Sequence, residues 1–200
     1  MRAATARYSG VWSAAPTPFT ASMAIDQPSV RRMVDHHLRL GVSGLFLAGT
    51  NGEGPWLTRR QLRELVETVA QAARGRLPLA VQVTDNSAAR VLETIDLVRA
   101  AGATIAVVAQ PAFFFNVTPA TLLAYYRAVI RNSPLPVGFY DRGRHGSVVV
   151  PESILPALYA ERNLVVVKDS SCDPARMRIA LAARRRRPAG SCSTARTPTV

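Results

Sequence analysis

Short apolar runs and helical stripes alternate along this chain, one pair to roughly thirty residues. Gly44-Leu-Phe-Leu-Ala48, Leu77 to Val83, Ala103 to Ala109, Pro136 to Tyr140 and Leu164 to Lys168 are apolar at nearly every position. Runs of that length, bounded by glycine, proline and polar residues, predict strands buried on both faces. A first strand begins near Gly10 and runs into the proline-punctuated turn Ala15-Pro-Thr-Pro-Phe19. Between the strands, apolar residues recur at spacings of three and four, as in Val30-Met33-Val34-His37, Leu62-Leu65-Val66-Val69 and Val91-Ile95-Val98. Helix starts are marked too. Thr58 with Gln61 has the form of a capping box, Asn86 or Ser87 caps the next helix, and Thr118-Pro119 and Asp173-Pro174 open later ones. Pro151 opens a further helix through Leu155 and Leu158.

Six strand–helix units with strands apolar on both faces mean a parallel sheet covered by helices. Either a doubly wound sheet or a (β/α)8 barrel fits. The first strand–helix turn lacks G-x-G-x-x-G, which weakens a dinucleotide-binding sheet. The polar and reactive residues Thr50, Tyr140 and Lys168 stand at the ends of the second, fifth and sixth strands. A barrel brings those ends to one face, so the predicted fold is α/β, of the (β/α)8 TIM-barrel type. It is incomplete: a barrel takes about 250 residues, and the last two units are missing from these 200. From Arg184 the periodicity stops. We expect a partial barrel domain over 1–183 and a disordered basic tail over 184–200, with the composition of an out-of-frame end.

With 48% hydrophobic and 19% charged residues, the chain can bury a core and is not of the disordered type. The net charge of +12 raises nucleic acid as a partner, but Arg184 to Arg187 and Arg196 carry five of those charges. The other arginines are scattered, with no aromatic interleaving and no recognition module, so no nucleic-acid partner is expected. No apolar run reaches the length of a membrane span, and the N-terminus lacks the apolar stretch of a secretory signal. Cys172 and Cys192 make neither a disulfide framework nor a zinc spacing. The expectation is a cytoplasmic protein with no membrane partner and no bound metal.

Lys168 is the only lysine among 25 Lys+Arg residues, and it closes the strand Leu164-Val-Val-Val. Arginine stays protonated, whereas a lysine partly buried at a strand end can lose its proton and attack a carbonyl. The plainer alternative is a strand-edge lysine with its stem on apolar surface and its head in water. Tyr140 reads as a proton-relaying phenol or as a core ring with a wet hydroxyl. Gly49-Thr50-Asn51-Gly52-Glu53-Gly54 reads as an anion-holding turn or as an ordinary strand–helix connection. His36 and His37 read as packing or surface residues, and His145 as a surface loop residue or, less simply, a base in the site.

Three separated signatures, Gly49-Thr-Asn-Gly-Glu53 with Leu57, Phe139-Tyr140 and Val167-Lys168-Asp-Ser-Ser171, each close a strand. In that order and spacing the chain resembles the dihydrodipicolinate synthase / N-acetylneuraminate lyase family of Schiff-base aldolases, as a C-terminally truncated member, from about Gly10 to Leu181. The resemblance implies that Lys168 forms an iminium with pyruvate or another 2-keto acid and that Tyr140 relays protons. It also implies that Gly49, Thr50 and Asn51 hold the carboxylate, with Thr50 also in the catalytic set. Glu53 is expected to hold the loop through hydrogen bonds. No metal or organic cofactor is implied, and a homo-oligomer is the family habit. Three departures bear on substrate. Asn51 replaces a second hydroxyl residue. Phe115 stands where the synthase branch shares a tyrosine between subunits. Asp141-Arg142 replaces the usual asparagine and proline, so that Arg144 matches the carboxylate-binding arginine only across a one-residue deletion. These favour a lyase, aldolase or dehydratase acting on a sugar-derived 2-keto acid over a true synthase. The alternative is a catalytically inactive truncated fragment.

Overall fold

The computed structural model describes residues 8–186 and 193–196. The strands are β1 (Trp12–Ala14), β2 (Gly44–Leu47), β3 (Leu79–Gln82), β4 (Ile105–Val108), β5 (Val137–Asp141), β6 (Leu164–Asp169) and β7 (Ser193–Arg196). The helices between them are α1 (Gln27–Arg39), α2 (Arg59–Ala73), α3 (Ala88–Ala100), α4 (Pro119–Asn132), α5 (Leu155–Tyr159) and α6 (Pro174–Arg186). Every neighbouring pair of strands is parallel, and the sheet order is the chain order, β1 to β7. A doubly wound sheet reverses its order at a switch point. This one never reverses, so it is the curled, singly wound sheet of an incomplete (β/α)8 barrel. Among the described residues β1 and β7 do not pair with each other.

Part of the expected tail is described. Residues 184–186 continue α6, and Ser193–Arg196 adds a seventh strand beside β6. The rest of that tail, 187–192 and 197–200, lies outside the described residues. After Pro151 a single 3-10 turn, Glu152–Ile154, leads into the five-residue α5, which carries the expected Leu155 and Leu158.

The helix starts follow from side-chain oxygens that meet otherwise unpaired N–H groups. Asp26 accepts from Ser29 N, and Thr58 and Gln61 close the capping box of α2. Ser87, not Asn86, caps α3; the Asn86 side-chain oxygen instead accepts from Phe113 N. Thr118 caps α4, and Asp173 accepts from Ala175 N at the start of α6.

Strand alternation divides the core in two. Leu45, Leu47, Leu79, Val81, Ala106 and Val108 face the helices, packing on residues such as Leu65, Ile95, Val129 and Leu158. Phe46, Ala80, Ile105, Val107, Ala109 and Tyr140 face inward, joined by partly buried Tyr8, Trp12, Ala14 and Val166. Both faces are apolar, which is why the strands read as unbroken apolar runs. Among the described residues no helix is long and apolar enough to cross a membrane.

Candidate active site

Lys168 and Tyr140 are register partners on β6 and β5, so their side chains leave the sheet side by side on its inner face. The Lys168 Nζ lies 3.8 Å from the centroid of the Tyr140 ring and 4.7 Å from that of Phe46. The two rings meet edge to face, 6.0 Å apart. An ammonium over aromatic faces is held by their quadrupoles. Burial alone would raise the Tyr140 phenol. The charge of Lys168 and hydrogen bonds with Ser170, Lys168 and Thr50 outweigh it, and the net shift is downward. Tyr140 and Lys168, read from distant stretches of sequence, are therefore in contact, and Thr50 is near enough to act on the same phenol. Toward the other end of the strands, Lys168 lines a small apolar cavity of about 40 Å³ with Trp12, Phe46, Ile105, Val107 and Val166.

The loop after β2 is built by its own backbone. Gly52 N and Gly54 N donate to Gly49 O, and Glu53 N donates to Thr50 O. The Thr17 hydroxyl donates to Gly52 O at 2.6 Å, pinning the loop to the turn after β1. Gly54 is required by close approach, since a Cβ there would stand 1.7 Å from Ala48 O. This arrangement leaves the N–H groups of Thr50 and Asn51 without a protein acceptor among the described residues. Adjacent free N–H groups in a tight turn are a receptor for a carboxylate.

The other candidate residues lie around this loop and along the strand ends. Asn51 donates its side-chain amide to Ala14 O at 2.8 Å, so that group braces the loop against β1. The exposed Glu53 side chain makes no hydrogen bond among the described residues; its left-handed backbone (φ 56°) shapes the loop instead. Arg144 lies exposed on the short turn Gly143–His145 and makes no ion pair among the described residues. Arg142, two residues earlier, is half-buried and reaches the Gln110 side-chain oxygen at 3.4 Å. Phe115 is 78% exposed, stacked edge-on with Phe113. His37 is buried, with one ring nitrogen 2.8 Å from the Ser13 hydroxyl and the other 2.8 Å from Met33 O.

Sequence reasoning missed the ion pair directly behind the site. Asp141, fully buried beside Tyr140, takes a two-pronged contact from Arg176 of α6 at 2.9 and 3.0 Å. It also accepts from Gly143 N at 2.9 Å, and its carbonyl accepts from Ser170 N. The departure Asp141-Arg142 thus has a structural partner. The only available signal was an acidic residue in an otherwise apolar strand.

The family model of the dihydrodipicolinate synthetase family matches residues 7–186. The chain belongs to that family. A 4-hydroxy-tetrahydrodipicolinate synthase of Acidobacterium capsulatum is 32% identical over 165 residues, 82% of this chain and 54% of that protein. One from Stenotrophomonas maltophilia is 33% identical over 177 residues, 88% of this chain and 59% of that protein. The chain thus spans less than two thirds of these curated relatives. Among solved structures, a putative family protein from Coccidioides immitis superposes with a TM-score of 0.83 at 27% identity, covering 94% of this chain and 60% of that one. The synthase of Acinetobacter baumannii gives 0.84 at 22% identity, covering 94% and 62%, a likeness of fold.

Proposed function

We propose that this protein is a Schiff-base-forming lyase acting on pyruvate or a sugar-derived 2-keto acid, with Lys168 as nucleophile. The observation that carries the reading is the contact of Lys168 and Tyr140 at adjacent strand ends on the inner face. The neutral amine of Lys168 adds to the ketone carbon, and loss of water from the resulting carbinolamine leaves an iminium. That cation takes up the electron pair released when a bond to the neighbouring carbon breaks. Tyr140 exchanges the proton at the substrate oxygen, a role suited to a phenol whose pKa lies below its ordinary value. The N–H groups of Thr50 and Asn51 receive the carboxylate. Two fold neighbours, a prophage protein of Escherichia coli K12 and the Acinetobacter baumannii synthase, are described in complex with pyruvate, which supports this substrate class.

The second reading, an inactive fragment, is favoured by one observation: among the described residues the inner face of the sheet lies between edges, β1 and β7, that do not pair. Mass spectrometry after incubation with pyruvate and borohydride decides between them. A reduced pyruvyl adduct on Lys168 supports the lyase. Folded protein that gives no adduct selects the inactive fragment.

A further inference from the structure

A cleft of about 450 Å³ opens on the helix side, where the end of α2 packs beside α1. Its walls are Arg31 and Asp35 of α1, Gln71 and Ala72 of α2, and Arg74 and Arg76 of the turn that follows. Arg74 and Gly75 both have left-handed backbone (φ 48° and 72°), so the chain reverses at once and brings Arg76 back to the helix end. There its guanidinium donates from Nε to Ala73 O and from Nη2 to Ala72 O, each at 3.1 Å. Those bonds hold the group in place and engage only part of its fork of donors. Among the described residues neither Asp35 nor any of the three arginines makes an ion pair. Three guanidinium groups against one carboxylate repel one another until an anion joins them. This is not the site of Lys168. The strands are parallel, and the turn leads into the start of β3, whereas Lys168 stands toward the far end of β6.

We propose that this cleft is a binding site for a small molecule carrying a phosphate group. Forked guanidinium donors match the several oxygens of a phosphate, whereas one fork already fills the two oxygens of a carboxylate. Asp35 in the wall repels a continuous polyanion such as nucleic acid, while a compact anion sits against the arginines. The site is independent of the Schiff-base reading.

The test titrates the full chain calorimetrically at low ionic strength with inorganic phosphate and with glycerol 3-phosphate. Acetate is the carboxylate control. At least one phosphate is expected to bind and to weaken with added salt, and acetate is not expected to bind. Which of the two binds more tightly tells a phosphate ester from the free ion. Arg31→Gln and Arg74→Gln, both at exposed positions, are each expected to weaken binding about five- to tenfold. Arg162→Gln removes the same charge from the exposed turn before β6 and is expected to leave binding unchanged. Binding should also survive Lys168→Ala and saturation with pyruvate. Absence of phosphate binding, equal weakening in Arg162→Gln, or displacement by pyruvate overturns the assignment. So does a DNA duplex that binds more tightly than either phosphate through the same arginines.

Discussion

On the helix side of the sheet, Leu45, Leu79, Ile95, Leu122 and Leu158 are sealed among aliphatic and aromatic neighbours. On the inner side a much smaller set packs together, Phe46, Ala80, Ile105, Val107, Ala109 and Tyr140, and the first four of these line a cavity with Lys168. The same seven strands supply both faces, so the difference is one of task. The outer face fixes the backbone through close packing and capped helices. The inner face keeps space, one lysine and one phenol, features that packing alone would not retain. Stability should therefore respond mainly to the outer face and chemistry mainly to the inner one.

The largest effect expected is at the rim. Lys168→Ala should abolish the borohydride-trapped pyruvate adduct while the thermal melt stays cooperative. An adduct that persists at another residue would place the chemistry elsewhere and break the division between the faces.

Next in size is Arg176→Ala, on the helix side but joined to the residue after Tyr140. Removing one partner leaves the Asp141 charge buried and uncompensated, a loss of about 3–5 kcal/mol readable by urea denaturation. A loss below about 1 kcal/mol, the scale of a solvated surface pair, would mean that water reaches Asp141 and that the outer face is less sealed than it looks.

A smaller, matched pair isolates packing. Ile95→Val on the outer face and Ile105→Val on the inner each remove one methylene from a buried side chain. Such changes cost about 0.5–1.5 kcal/mol, more where the surroundings cannot adjust. Ile95 should fall at the upper end and Ile105, which already lines the cavity, at the lower. Equal losses in denaturation would show the two faces packed alike.

These contrasts also explain what could be read before any coordinates. Parallel strands bring their ends together, so Thr50, Tyr140 and Lys168 converge for topological reasons visible in the spacing of the apolar runs. Side-chain direction within a loop has no such rule. Asn51 matched the carboxylate-holding motif, yet its amide turns back to β1. The Asp141–Arg176 pair joins residues 35 apart on different layers, and neither carries a local signal for the other. Residues 193–196 have no apolar pattern, and their strand pairs through backbone along the edge of β6.

The smallest effect concerns pH and an ion cluster remote from the inner face. Glu161, nearly buried, accepts from Arg131 of α4 at 2.8 and 2.9 Å and from Arg127 at 2.7 Å. The hydrogen bond from Arg131 first, and then that from Arg127 with both positive charges, outweigh burial and hold the Glu161 carboxyl below its ordinary range. A carboxyl whose pKa is lowered by folding contributes stability in full above its unfolded value, about 4.3, and loses it as pH falls through the folded one. Urea midpoints should therefore differ between wild type and Glu161→Gln at pH 6, and the two curves should converge as the pH is taken down toward 2.5. The arginines are partly exposed, so the gap will be small and will shrink further with salt. Because the Glu161 carboxylate pairs with two arginines of α4, trapping of pyruvate at neutral pH should not follow this change. A gap that stays constant from pH 6 to 2.5 would mean that the glutamine acts through packing rather than charge.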